Sequence, residues 1–148
     1  MPIFVKSVVI DAPVGVVFGF HERDDALPLL SPAFPPVRVL GRTGGIEAGA
    51  RVELRIGPLR WLARHTAYEK DRLFVDEQIE GPFASWVHLH EFEPLGARTR
   101  LTDRVEFRLP GGALVNAAGQ WVVKAALAQM FRHRHAVTKR LCERRAEG

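Results

Sequence analysis

The chain has 148 residues, of which 47% are hydrophobic and 26% charged. That balance excludes a disordered chain, a collagen-like repeat and a coiled coil. A chain of this length forms one domain, so residues 1–148 are read as a single unit able to bury about 68–70% of its unfolded surface. Lys and Arg number 21 against 17 Asp and Glu, a net charge of +4.

Taken from the start, Met1-Pro2-Ile3-Phe4-Val5-Lys6 lacks the basic start, apolar core and small-residue cleavage site of a signal peptide, so a cytoplasmic location is expected. Residues Ile3–Ile10 are β-branched and apolar and read as a first strand. Asp11 is a capping residue, and Pro13 suits the first turn of a helix. A short helix through Val14–Phe20 follows, then a second of one or two turns over Asp24–Leu30, ended by Pro32, Pro35 and Pro36.

The middle of the chain has period two. Val37–Leu40 is a strand bordered by Gly41, Gly44, Gly45 and Gly49, and Val52, Leu54 and Ile56 alternate with Arg51, Glu53 and Arg55. Leu59–Tyr68, Leu73–Ile79, Ser85–Phe92 and Thr99–Leu109 are further strands, with Lys70-Asp71, Gly81-Pro82 and Pro94–Gly96 between them. In the last, Leu101, Asp103, Val105, Phe107 and Leu109 point inward, and Asp103 is the charged member of that set. From Ala113 to about Arg145 there is no proline and one glycine, Gly119. This predicts a helix of roughly 30 residues, about 45 Å long, whose first half is too apolar to stand in solvent. Trp121 and Phe131 are assigned to its core or cavity-lid face, and His133 and His135, among arginines, to solvent.

The expected architecture is therefore α+β: an antiparallel sheet of about seven strands wrapped around a long C-terminal helix, with two short helices after the first strand. No apolar run reaches 18 residues, so no stable membrane insertion is expected. The basic cluster Arg132–Arg145 complements the negative end of the long helix. It has no interleaved stacking aromatics, so a nucleic-acid partner is not expected. Cys142, alone, forms no internal disulfide or cysteine-based metal cage.

Several stretches carry a family resemblance: Ile10-Asp11-Ala12-Pro13 leading to Val17-Phe18-Gly19-Phe20-His21, Phe74-Val75-Asp76-Glu77-Gln78 with Gly81-Pro82-Phe83, Trp86–Phe92, and Asp103-Arg104-Val105-Glu106-Phe107. Over nearly its whole length the chain resembles the START-related, polyketide cyclase-like (SRPBCC) helix-grip superfamily, and within it small stand-alone bacterial ligand-binding members. The superfamily also takes in the birch-pollen allergen group and coenzyme Q-binding proteins, and a similar domain occurs beside nucleotide-sugar-epimerase-like domains. The resemblance implies a hydrophobic cavity between sheet and helix for a small ligand. It implies no single reaction, because the superfamily contains binders, transporters and cyclases.

The residues themselves suggest what lines such a cavity. Trp61 shares a strand face with His65, Phe74 with Asp76 and Gln78, and Trp86 with His88 and His90. Placing the bulky aromatics inward puts Trp61, His65, Asp76, Gln78, Trp86, His88, His90 and Asp103 on the cavity wall, with Trp121 opposite them on the helix. The alternative buries the Val87–Leu89 face instead. A buried unpaired polar group costs roughly 1–3 kcal/mol, so this set must pair internally, with water or with a ligand. His88 and His90, two apart on a strand, point the same way. They are either satisfied polar residues bonded to Asp76, Asp103 or Gln78, or groups that bind or act on a ligand, or metal ligands with His65 or an aspartate. With no third ligand at recognisable spacing, no metal and no cofactor is expected.

Two functional readings follow. One is a non-catalytic carrier, sensor or store for a small hydrophobic or amphipathic molecule. The other is a cyclase/dehydratase- or isomerase-type enzyme in which His88, His90 and Asp103 supply acid and base. A third reading docks the basic helix end, with Arg140, Arg144 and Arg145, on an acidic partner. The binder is favoured, as a monomer or homodimer.

Overall fold

β1 (Ile3–Ile10) leads into α1 (Val14–His21) and α2 (Ala26–Leu30); then come β2 (Val37–Thr43), β3 (Arg51–Ile56), β4 (Leu59–Glu69), β5 (Leu73–Glu80), β6 (Ser85–Leu95), β7 (Arg98–Arg108) and α3 (Gly112–Glu147). The structure, a computed structural model, describes residues 2–31 and 36–147. The expected helix stops Pro32 and Pro35 lie outside those residues.

The strands form one antiparallel sheet in the order β1-β7-β6-β5-β4-β3-β2. From β2 to β7 each strand pairs with its neighbour in sequence, as short turns dictate. β1 and β2 occupy opposite edges, and α1 and α2 carry the chain between them. The 36-residue α3 packs mainly on β1, α1 and α2.

Local details depart from the sequence reading in explicable ways. Asp11 does not cap α1; Pro13 holds the cap position without a side-chain bond, and the Asp11 carboxylate accepts from Arg98 Nε at 2.5 Å. α2 starts at Ala26 instead of Asp24, and the Asp25 carboxylate is held by Arg23 at 2.7 and 2.8 Å. β2 runs on to Thr43 through an irregularity between Val39 and Gly41.

The inward face of the sheet is the aromatic one. Trp86, His88, His90 and Phe92 are buried along β6, as are Leu101, Asp103, Val105 and Phe107 along β7. The core has two apolar parts. One gathers Phe18, Phe74, Phe92, Leu101 and Val137, the other Trp86, Val105, Phe107, Leu127 and Phe131. Each fully buried side chain of this size contributes roughly 1.5–3 kcal/mol. Between these parts lies a polar layer. Phe74 stacks on His90 with ring centroids 3.9 Å apart, and Phe131 meets His88 edge-on at 5.3 Å.

The first half of α3 corrects an expectation. Leu114, Trp121 and Val122 are 85%, 66% and 74% exposed. The helix is anchored by its second half, through Leu127, Phe131, His135, Thr138 and Cys142. Those positions recur at helical spacing and face the sheet.

Candidate functional site

Between the inner sheet face and α3 lies a cavity of about 470 Å³. Trp61, His65, Phe74 and Trp86 line it from the sheet, Leu127, Met130 and Arg134 from α3, and His21 and Leu30 from the short helices. Pro82 and Phe83 also belong to its lining. A shallower depression of about 520 Å³ lies at the start of α3, around Pro2, Arg108, Gly111 and Asn116.

The sequence-predicted residues fall into three groups. Trp61, His65, Asp76, Trp86, His88 and His90 line the cavity. Asp103 is buried behind the histidines and does not reach the cavity surface. Gln78 and Trp121 are not in the wall. The Gln78 side chain donates to the Phe83 carbonyl at 2.8 Å and accepts from the Phe83 N–H at 3.1 Å, so its amide is consumed in holding the β5–β6 turn. Trp121 projects into solvent under Lys124, whose Nζ lies 4.9 Å from the ring centre. The reason is helical phase: Val123, Leu127 and Met130 occupy the inward stripe.

Strand register builds the polar layer. Asp76 on β5 sits opposite His65 on β4 and His88 on β6, and His90 sits opposite Asp103 on β7. The short bonds run diagonally. His88 Nε2 donates to Asp103 Oδ1 at 2.7 Å and His90 Nε2 to Asp76 Oδ2 at 2.8 Å. Diagonal neighbours in a sheet are within reach of long side chains. His90 Nδ1 also lies 3.2 Å from Asp103 Oδ1, and His88 Nδ1 lies 3.8 Å from Asp76 Oδ2. Each histidine therefore turns one ring nitrogen to Asp76 at the front and the other to Asp103 at the rear. His135 completes the rear layer by donating to Asp103 Oδ2 at 2.6 Å.

The sequence reading placed His135 in solvent and Arg134 in the basic cluster at the end of the helix. His135 is buried on Asp103, and His21 and Arg134 line the cavity. His135 follows Phe131 by four residues and His21 follows Val17 by four, so each extends a buried helical stripe. That spacing was the available signal, and the surrounding arginines masked it for His135.

Electrostatics follows from burial and pairing. Burial works to raise the Asp76 carboxyl, but the His90 hydrogen bond and the neighbouring imidazoles overcome it and bring it to about 2. The same contest leaves Asp103 well below the usual carboxylate range, with bonds from His135, His88 and His90 prevailing. Burial lowers His88, His65 and His21, the last to about 4. His90 is raised: burial opposes its charge, but the bonds to Asp103 and Asp76 win. His65 Nδ1, Arg134 Nε and His135 Nδ1 are buried without a hydrogen-bond partner among the described residues. Two of these groups, His65 and Arg134, belong to the cavity wall. The arrangement offers an apolar chamber with a carboxylate and two imidazoles at one place on its wall. It can receive a polar end of a ligand, exchange a proton with it, or hold a cation.

Comparison with known proteins places this geometry. The family model described as polyketide cyclase/dehydrase and lipid transport matches residues 10–131. A Corynebacterium glutamicum nucleoside-diphosphate sugar epimerase superposes with a TM-score of 0.75 at 24% identity over 93% of this chain, and this chain spans only 28% of that protein. A Streptomyces aromatase/cyclase gives 0.74 at 16% identity, covering 97% of this chain and 94% of the other. A START superfamily protein from Mycobacterium smegmatis gives 0.66 at 18% identity, with 98% and 97% covered. No curated protein sequence matches the chain. The structural likenesses establish the helix-grip fold.

Proposed function

The chain belongs to the polyketide cyclase/dehydrase and lipid transport family, and from that premise we propose that it binds one small, partly hydrophobic molecule in the cavity between the sheet and α3. The role is that of a carrier, sensor or store. The observation that carries this reading is the cavity itself. Its volume of about 470 Å³ lies within the roughly 300–1,000 Å³ range of small-molecule sites. Its wall is mostly aromatic and aliphatic, with a few polar groups gathered at Asp76, His88 and His90. The apolar body of the ligand rests against Trp61, Trp86 and Leu127, and its polar end against Asp76 and the two imidazoles. Among the described residues no helix is long and apolar enough to cross a membrane. The expected setting is cytoplasmic, with the protein a monomer or homodimer.

Native mass spectrometry of gently purified protein, beside the same sample denatured, tests this directly. A bound organic mass lost on denaturation supports the reading. A clean apo mass, together with failure of wild type to bind any of a panel of polyketide-like and isoprenoid compounds, rejects it.

A second reading has an observation of its own. Asp76, His88 and His90 all reach the cavity surface, and Asp103 holds both rings from behind. A carboxylate-oriented imidazole in an apolar chamber is suited to proton abstraction beside a carbonyl, the chemistry of a cyclase/dehydratase or isomerase. The two readings part at His88→Ala: an enzyme keeps ligand affinity and loses turnover, whereas a binder loses affinity and has no turnover to lose.

A further inference from the structure

We propose that Asp76, His88 and His90 form a site for one divalent transition-metal ion of the zinc, cobalt or nickel class, set in the cavity wall. The proposal concerns an inorganic ligand and holds whether or not an organic molecule fills the cavity.

Three observations carry it. The first is convergence. One carboxylate oxygen of Asp76 and one ring nitrogen from each histidine lie within 4.8 Å of one another. Asp76 Oδ2 is 2.8 Å from His90 Nε2 and 3.8 Å from His88 Nδ1. Metal–nitrogen and metal–oxygen bonds of about 2.0–2.2 Å put neighbouring donor atoms about 2.9–3.4 Å apart, from octahedral to tetrahedral angles. The two separations from Asp76 bracket that interval, and the two imidazole nitrogens lie within 4.8 Å of each other, so the three donors converge on one point once the rings turn toward an ion.

The second is the arrangement behind the donors. The nitrogens that do not face Asp76, His88 Nε2 and His90 Nδ1, both lie on Asp103 Oδ1, at 2.7 and 3.2 Å. Metal-binding imidazoles characteristically give their other N–H to a carboxylate, which fixes the tautomer and aims the free nitrogen at the ion. One aspartate does this for both rings here, and His135 at 2.6 Å holds that aspartate in turn. A structural polar cluster needs only that every group be paired. It does not require both rings to divide their nitrogens between the same front and rear carboxylates.

The third is charge. Asp76 and Asp103 place two carboxylates in an interior layer, and the guanidinium facing them, Arg134, forms no ion pair with either. Buried charge is costly unless it is paired or coordinates a metal. Imidazole hydrogen bonds hold both carboxylates, and a divalent ion at the front positions adds positive charge directly on Asp76 with Asp103 behind the rings. Two histidines and one carboxylate also leave coordination positions open toward the cavity, where a ligand's polar group or water completes the shell. The donor set of imidazole and carboxylate, with Cys142 buried elsewhere, suits borderline cations over thiophilic ones.

The test uses untagged protein stripped with chelator and dialysed, titrated with cobalt(II) and followed by visible absorption and calorimetry, with nickel(II) and zinc(II) in parallel. Saturable uptake of one ion per chain is expected. Asp76→Asn and His90→Gln should each weaken it at least tenfold, while the exposed His133→Ala control leaves it unchanged. Asp103→Asn, which acts through the rings, should weaken it by about 10–100-fold. Where a variant does not fold, the wild-type imidazole ¹⁵N resonances decide the matter. Zinc should move those of His88 and His90. Absence of saturable uptake of any of the three metals, uptake indifferent to Asp76→Asn and His90→Gln, or zinc shifts confined to His133 would each overturn the site.

Discussion

Asp103 on β7 and His135 on α3 are joined by a 2.6 Å hydrogen bond that ties β7, the strand beside the β1 edge, to the long helix. Both side chains are 5% exposed, so the bond forms without water to replace it. Removing His135 leaves the buried Asp103 Oδ2 without its partner while His88 and His90 still hold Oδ1, and removing Asp103 leaves the His135 ring buried without one. We expect His135→Leu to destabilise the fold by about 3 kcal/mol in urea denaturation. The double variant His135→Leu/Asp103→Leu should cost less than the sum of the two single changes, because the two residues share one interaction. Additive losses would mean that the bond couples nothing.

The imidazoles give the fold a specific response to acid. His21 is pushed to about 4, chiefly by burial, and burial also lowers His65 and His88. An unfolded histidine binds a proton near 6.5, so below that value the unfolded state takes up more protons than the folded one. These groups therefore contribute full stability above about pH 6.5 and lose it as pH falls toward 4. His90, raised, works the other way: its contribution is complete below about 6.5 and declines as pH rises through its folded value. Asp76, at about 2, and Asp103 keep their contribution until pH falls below about 4. Urea midpoints from pH 8 to 3 should drop mainly between 6.5 and 4. His21→Leu, which removes the titrating ring from the end of α1, should flatten that interval. An unchanged slope in this variant would remove His21 from the account.

The fold was legible because its signals are local. Alternation along β7 and a long interval without proline fix β7 and α3 to within two residues, whereas β6 runs on to Leu95 through Pro94, which the sequence reading puts in the turn and which instead pairs with Thr99. The aromatic face rule also identified the inner wall, where six of the named residues line the cavity. What escaped was set by three-dimensional choice. Helical phase sends Trp121 outward, a matter of which stripe meets the sheet. Gln78 lies on the correct face, yet the turn at Phe83 takes its amide. His135 was misread because charge around it in sequence said nothing about its own side of the helix. The pairing of each imidazole with two carboxylates depends on diagonal contacts across three strands, which no spacing within one strand displays.

Cys142 should be chemically silent in the folded protein. It is 1% exposed in the anchored half of α3, and burial pushes its thiol up to about 11. At neutral pH that keeps the thiol protonated, and the thiolate is the reactive species. Labelling with an aromatic disulfide reagent should be slow in buffer and accelerate in proportion to the unfolded fraction as urea is added. Rapid labelling without denaturant would show that the end of α3 opens independently of the rest of the fold.

The three tryptophans offer an internal reporter for the cavity. Trp61 and Trp86 meet edge to face with ring centroids 5.0 Å apart, and both line the wall. Trp121 is 66% exposed and lies outside it. A hydrophobic ligand that enters the cavity should therefore change the emission of Trp61 and Trp86 while leaving Trp121 almost untouched. Trp121→Phe should lower total fluorescence and its accessibility to iodide yet retain the full ligand-dependent change. Ala63→Trp adds an indole's bulk to the lining of the chamber and, with a volume of about 470 Å³ to accommodate it, should fold and bind at least tenfold more weakly. Fluorescence titration of wild type and the two variants with one apolar probe measures all of this together. If Trp121→Phe abolished the response, or if filling the chamber left affinity unchanged, the ligand would be seated on the exposed first half of α3 and not between the sheet and the helix.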